Sequence, residues 1–172
     1  MSIKNRTDFS SESELEYLRQ TNLGRLIDDL HFFFERQALG YLRKDNYPMI
    51  KSADVHVMRT MRLEGSRVTD MALQAGISKQ AMSKLVQGFV EHGFLAWSDD
   101  PKDRRNRIVS VTAAGRDLLS SGLRALRAAE NDLAEIIGDK EIERFRELLI
   151  RIKQARNIRP PVQNALDRRR RA

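Results

Sequence analysis

Across residues 13–44 the apolar residues Leu15, Leu18, Leu23, Leu26, Ile27, Leu30, Phe33, Phe34, Ala38, Tyr41 and Leu42 recur at intervals of three and four, the period of an α-helix. The pattern predicts one long helix or two in tandem. Within it Phe32, Phe33 and Phe34 follow one another, and side chains about 100° apart cover most of a helix's circumference. Such an element needs several neighbours. The run Asn46, Tyr47, Pro48 breaks the period. A second helix is expected to follow to about residue 63, with Ser52 as its N-cap and Asp54 in the first turn, where the helix dipole favours an acid. Two shorter helices are predicted over residues 69–74 and 78–91, joined through Ala75, Gly76 and Ile77. Gly76 suits a left-handed turn and Ser78 can cap the helix after it. Helices joined this tightly cross steeply, and they would bury Met71, Ala72, Ile77, Met82, Leu85, Val86 and Phe89 between them and a third helix. This is a helix-turn-helix pattern.

Gly93 can stop the second of these helices, after which LAWS (residues 95–98) and RIVSVT (residues 107–112) are strand-like runs on either side of a charged tip. They predict a two-stranded wing. Thr112 is then placed to cap a long helix carrying Leu118, Leu119, Leu123, Leu126, Leu133, Ile136 and Ile137, a stripe wide enough for a helix partner. The run GDKE interrupts it. A last helix over residues 140–156 carries Ile142, Phe145, Leu148, Leu149 and Ile152 and ends before Pro160 and Pro161.

The 172-residue chain can bury a hydrophobic core without staples. It has no cysteine, which excludes disulfides, thiolate nucleophiles, cysteine-ligated zinc and thiol redox sensing. The net charge of +7 favours a polyanionic partner. There is no apolar leader pattern at the start and no run of about 18 apolar residues, so the chain reads as soluble and intracellular, with no membrane partner. No Gly-rich phosphate loop, Ser-His-Asp spacing or H-E-x-x-H occurs. Catalysis has nothing to stand on, and no catalytic residue or cofactor is implied. His31, His56 and His92 are too few and too far apart in sequence to argue a metal site.

The face of the second short helix opposite its apolar stripe is Lys79, Gln80, Ser83, Lys84 and Gln87, with Ser78 at the start. Amides and hydroxyls can bond base edges in a major groove while lysines take phosphates. The wing tip places Lys102, Arg104, Arg105 and Arg107 beside Asp99, Asp100 and Asp103. Crowded like charges repel one another unless a strongly negative partner offsets them. A hairpin tip is narrow enough for a minor groove, whose negative potential is deepest in A·T tracts, and Asp103 is placed to brace the loop against its amides or a neighbouring arginine. Helix, glycine turn, polar helix and basic hairpin follow in the order of a winged helix. The chemistry points to double-stranded DNA. A nonspecific architectural DNA binder, or a winged helix used for protein or RNA contact, is the rival reading.

The run DDPKDRRNRIVSVTAAGRDLL, residues 99–119, resembles the signature of the MarR (multiple antibiotic resistance regulator) family: DP, then D-R-R, then an alternating strand ending in T-x-x-G. The similarity extends back through VTDMALQAGISKQAMSKLVQGFVEHGFL and covers about residues 52–119. The resemblance implies a mainly α fold with a small β-wing, a winged helix-turn-helix flanked by N- and C-terminal dimerisation helices. It implies a homodimeric, cytoplasmic and nucleoid-associated bacterial or archaeal transcription factor, usually a repressor, on a pseudo-palindromic operator. Carried over by position, Ser78, Lys79, Gln80, Ser83, Lys84 and Gln87 meet the major groove, while Arg105 enters the minor groove with Arg104 and Arg107 beside it and Asp103 bracing. One departure is Lys84, where many members carry arginine, so a phosphate contact replaces bidentate guanine reading there.

Relatives often release DNA when a small phenolic or carboxylate molecule enters a cleft between the dimer helices and the winged helix. The resemblance therefore implies a small aromatic or carboxylate effector, with His31, Phe34, Tyr41, Tyr47, His56, Met58 and Met61 as candidate lining, and core packing as the plainer role for the Phe and Met residues. The expected organisation is a flexible N-terminus over 1–12, an N-terminal dimerisation helix over 13–47, the DNA-binding domain over 48–112, C-terminal dimerisation helices over 113–157 and a basic tail over 158–172.

Overall fold

A computed structural model describes residues 11–100 and 103–155, without the side chains of residues 100 and 103–106. The expected flexible start, the wing-tip residues Pro101 and Lys102 and the basic tail therefore lie outside the described residues, apart from residues 11 and 12 of that start. The element order is α1 (Glu12–Thr21), α2 (Leu23–Lys44), a 3-10 turn (Ser52–Asp54), α3 (Val55–Thr60), α4 (Val68–Ala75), α5 (Lys79–Glu91), β1 (Leu95–Asp100), β2 (Asp103–Val111), α6 (Ala113–Ile137) and α7 (Asp139–Ala155). It is a mainly helical fold with one two-stranded antiparallel sheet.

The first long apolar pattern resolves into two helices because Asn22 serves both. Its backbone is extended, at φ −66° and ψ 149°. Its side-chain oxygen accepts from the Arg25 amide at 3.0 Å, capping α2, while its side-chain nitrogen donates to the Arg19 carbonyl at 2.7 Å, closing α1. One amide side chain can satisfy orphan groups of two helix ends because it carries both donor and acceptor.

The helix expected from Ser52 to about residue 63 is shorter and starts differently. Asp54 takes the capping role: its carboxylate accepts from the Lys51 amide at 2.9 Å and closes a 3-10 turn. Ser52 instead donates its hydroxyl to Glu35 on α2. α3 ends at Thr60 because the following segment turns to meet the wing, where Ser66 and Val109 exchange amide-to-carbonyl bonds of 2.9 Å in both directions. Leu63, read as the end of a helix, stands exposed in the turn between.

α4 and α5 follow the sequence closely. Gly76 adopts φ 70°, and the Ser78 side chain accepts from the Ala81 amide at 3.1 Å. Met71, Ala72, Met82, Val86 and Phe89 are buried between the two helices and their neighbours, with Ile77 and Leu85 packed on the margin. Val57, Leu95, Val109 and Leu118 complete the most enclosed part of this core, so α3, the base of the wing and the start of α6 share one apolar centre.

The junction between wing and α6 is unusually close. The Thr112 side chain caps α6 by accepting from the Gly115 amide at 3.0 Å, and its hydroxyl faces the carbonyls of Gly93 at 2.6 Å and Phe94 at 3.0 Å. A Cβ on Gly115 would overlap the Phe94 carbonyl oxygen. The T-x-x-G spacing thus combines a cap with a glycine that lets α6 lie on the β1 backbone. Further along, α6 buries Ser121, Gly122, Ala125 and Ala129, small residues at helical spacing that allow α2 to pack against it. Two polar ties cross the same seam: the Tyr41 hydroxyl donates to Asp132 at 2.8 Å and Arg124 reaches Asp45 at 3.0 Å. Hydrogen bonds from Ser121 and then Arg124 hold the Asp45 carboxyl below its ordinary range.

α1 and α7 bury no residue at all. α7 is tied to α6 by Arg146, which donates to both carboxylate oxygens of Glu130 at 3.0 and 3.3 Å.

Candidate nucleic-acid interface

On α5 the buried stripe is Met82, Val86 and Phe89. Lys79, Gln80, Lys84 and Gln87 are exposed on the rest of the helix, with Ser83 half-buried at the edge. Ser78 is exposed too, but its side-chain oxygen is engaged as the cap, which leaves it the hydroxyl hydrogen to offer. Gln87 donates to Glu91 at 3.1 Å, so its amide is held along the helix. The first two turns therefore present two lysines and a glutamine to solvent on a helix fixed from behind by close packing.

The wing follows α5 directly. The Gly93 amide bonds the Val90 carbonyl and the Phe94 amide bonds the Phe89 carbonyl, both at 2.9 Å, so the turn is part of the helix end. β1 and β2 pair with Leu95 opposite Val111, Trp97 opposite Val109 and Asp99 opposite Arg107, with an irregularity next to Asp100. Strand partners point to the same face. One face of the hairpin thus carries buried Leu95, Val109 and Val111 at its base and Trp97, Asp99 and Arg107 further out. The Arg107 guanidinium lies 5.0 Å from the centre of the Trp97 ring. The other face is tied by the hydroxyls of Ser98 and Ser110 at 2.8 Å. The backbones of Asp103, Arg104 and Arg105 belong to β2; their side chains lie outside the described residues.

Behind this frame, α2, α3 and α6 line an open cleft of about 410 Å³. Of the seven residues singled out for a ligand cleft, His31, Phe34 and Met58 line it. The other four do not. Tyr41 points to Asp132 across the α2–α6 seam, Tyr47 packs at a tilt against Phe94 with ring centres 5.9 Å apart, and Met61 packs against the core. His56, one residue before the buried Val57 of α3, is half-buried away from the lining. Sequence reasoning missed Glu35 and Arg59, the polar residues that join His31 at the cavity. His31 Nε2 lies 3.6 Å from the Glu35 carboxylate, and their i, i+4 spacing on one helix was the available signal. Arg59 gave no such signal, because its approach depends on how α3 packs against α2. Among the described residues no group of three or more His, Asp and Glu is arranged to hold a metal ion, and no helix is long and apolar enough to cross a membrane.

No family model matches the chain. Wild-type MarR from E. coli in its apo form superposes with a TM-score of 0.65 at 19% identity, covering 76% of this chain and 96% of that one. A MarR-family transcriptional regulator from Rhodococcus sp. RHA1 gives 0.61 at 19% identity, over 84% of this chain and 97% of its own. The fold is that of the MarR family. Another neighbour by shape is CouR from Rhodococcus jostii RHA1, solved bound to p-coumaroyl-CoA, with a TM-score of 0.61 and 22% identity over 77% of this chain and 92% of that one. Among curated proteins, the uncharacterized HTH-type transcriptional regulator YdgG of Bacillus subtilis (strain 168) is 21% identical over 115 residues, 65% of this chain and 76% of its own length. Within the MarR-type fold, the sequence resemblance over residues 52–119 spans the 3-10 turn through the start of α6, the part that carries the polar helix and the wing.

Proposed function

We propose that the protein is a sequence-specific DNA-binding transcriptional regulator that acts as a homodimer, in the repressor mode, on an inverted-repeat operator. The observation that carries this reading is α5. A helix whose inner stripe is completely buried offers Lys79, Gln80 and Lys84 to solvent at its N-terminal end, the end that meets base edges when such a helix lies in a major groove. Ser78, Ser83 and Gln87 flank this row, and Arg104, Arg105 and Arg107 supply the wing contact, with Asp103 bracing the loop. The regions over 13–47 and 113–157 serve as the dimerisation unit around the DNA-binding part.

A two-fold dimer with one such helix per subunit requires half-sites about 10 to 10.5 base pairs apart, centre to centre. Selection of bound duplexes from a random pool tests this directly. An inverted repeat with that spacing is the expected outcome. Recovery of unrelated sequences at equal affinity would mark an architectural DNA binder instead, and recovery of no duplex would leave the winged helix to protein or RNA contact.

The cavity supports a further reading, release of DNA by a small effector. Its apolar lining includes Phe34, Leu39, Met58 and Leu119, with His31 and Arg59 available to a carboxylate or phenol. It sits between α2 and α6, which belong to the dimerisation region, and α3, which belongs to the DNA-binding part. A ligand there can bias how the two are arranged only if it prefers one arrangement. Screening small aromatic acids for compounds that raise the melting temperature and weaken operator binding tests it. Compounds that do the first without the second would disconnect the cavity from regulation.

A further inference from the structure

Arg107 lies over the ring of Trp97, the only tryptophan in the chain. Trp97 stands on β1, paired with the buried Val109 and packed against the core margin. It is anchored at the base of the hairpin and only half-exposed. The exposed Arg107 lies one pair further out on the same face, opposite Asp99. With the guanidinium 5.0 Å from the ring centre, the contact is a cation–π pair, for which an indole is the best aromatic partner.

Two consequences follow from the chemistry. A free arginine side chain samples many rotamers, and part of that freedom is lost whenever it is fixed on a ligand. An arginine already resting on a ring loses less. A guanidinium over a ring keeps its charge, and those of its five N–H donors that do not point at the ring are open to a hydrogen-bond acceptor.

We propose that Trp97 is a positioning residue for DNA binding: its ring holds Arg107 along the wing with the guanidinium edge turned to a backbone phosphate. The inference rests on the DNA-binding reading above. It assigns to Trp97 no contact with DNA of its own.

The test uses the full-length protein and a duplex recovered from the random-pool selection, titrated at several salt concentrations with wild type, Arg107→Ala, Trp97→Phe, Trp97→Leu and the Trp97→Leu/Arg107→Ala double variant. Arg107→Ala should lower the salt slope by about 1 per subunit, because one phosphate is no longer neutralised. Trp97→Leu should weaken binding roughly two- to five-fold per subunit, the range of an exposed cation–π pair, and leave the salt slope unchanged because Arg107 still reaches the phosphate. Trp97→Phe should fall between Leu and wild type, and the double variant should bind no worse than Arg107→Ala alone. A residue that only supports the fold would instead give losses that add. The lone tryptophan supplies a second readout in the DNA-free protein, since removal of its stacked cation should change its emission. If Trp97→Leu does not fold, Trp97→Phe and the emission of Arg107→Ala decide the matter. Additive losses, a Trp97→Phe variant equal to wild type, or an unchanged emission spectrum in Arg107→Ala would overturn the proposal while leaving the DNA-binding reading intact. A wild type that binds no duplex would overturn both.

Discussion

Lys84 and Arg105 carry the same charge but are expected to do different work. A lysine is a compact, strongly hydrated point charge on a flexible stem, suited to a phosphate, whereas the planar guanidinium suits a narrow, strongly negative minor groove. Lys84→Ala should weaken binding to every sequence alike and reduce the salt slope by about 1 per phosphate. Arg105→Ala should cost about 1 to 3 kcal/mol per subunit and relax the preference for A·T flanks beside each half-site. Asp103→Ala should resemble a milder Arg105→Ala, because it loosens the tip while every DNA-binding side chain remains. Titrating the three variants against sites with A·T and G·C flanks separates these outcomes. An Arg105→Ala protein with unchanged affinity and flank preference would reduce the tip to a solvated charge cluster. At this scale the sequence was most informative where function needs a residue type on a locally determined face. The polar row of α5 was legible because the helical period alone separates Lys79, Gln80 and Lys84 from Met82, Val86 and Phe89. The pairing of Trp97 with Arg107 was not, since it depends on strand register across the hairpin, and the register of a longer loop is not fixed by composition.

The elements themselves were legible to the degree that their boundaries are set by local chemistry. Gly76 and Ser78 mark the α4–α5 turn with a left-handed φ and a side-chain cap, both readable from residue type. Ser52 misled because two residues could cap the same region and the choice fell to tertiary contact: Glu35 on α2 takes the Ser52 hydroxyl, and Asp54 takes the Lys51 amide. Glycine inside helices gives a sharp test of the same distinction. In an open helix interior Ala is favoured over Gly by about 0.8 to 1.0 kcal/mol. Gly88 on α5 has nothing within 4 Å of an added Cβ, so Gly88→Ala should raise the melting temperature by a few degrees. On α6 the sign reverses. An alanine at Gly115 would overlap the Phe94 carbonyl oxygen and stand 2.9 Å from Val111; backbone cannot step aside as a side-chain end can. Gly115→Ala should therefore destabilise by about 1 to 3 kcal/mol and separate α6 from the wing base. Thermal melts of the two variants side by side are the measurement, and a Gly115→Ala protein as stable as wild type would contradict the close approach seen at this junction.

At the scale of the whole molecule, the decisive feature is apolar surface that no described residue covers. Leu15, Leu18, Leu23, Leu26 and Ile27 of α1 and α2, Leu126, Ile136 and Ile137 of α6, and Leu148, Leu149 and Ile152 of α7 are all exposed, Leu23 and Ile136 to 71%. They fall at helical spacing on the terminal helices, of which α1 and α7 bury no residue. Solvating so large an apolar face is unfavourable, at about 25 cal/mol for each Å² left in water, and a two-fold axis is the commonest way for one kind of chain to cover it. The amphipathic pattern of the terminal helices was easy to read while their packing was not: the stripe is present in the sequence, but within one chain no described residue covers it. Ultracentrifugation should then find a dimer and no stable monomer at micromolar concentration. Leu126→Asp or Leu149→Asp, which would place a charge in that interface, should dissociate the dimer and abolish binding to the full inverted repeat together, while a single half-site is bound only weakly. The core built on Met71, Met82, Val86 and Leu118 lies apart from these positions, so the variants should keep their helical circular dichroism. A monomeric variant that binds the full operator as tightly as wild type would show that the recognition helices act independently, and the two-fold arrangement would have to be given up.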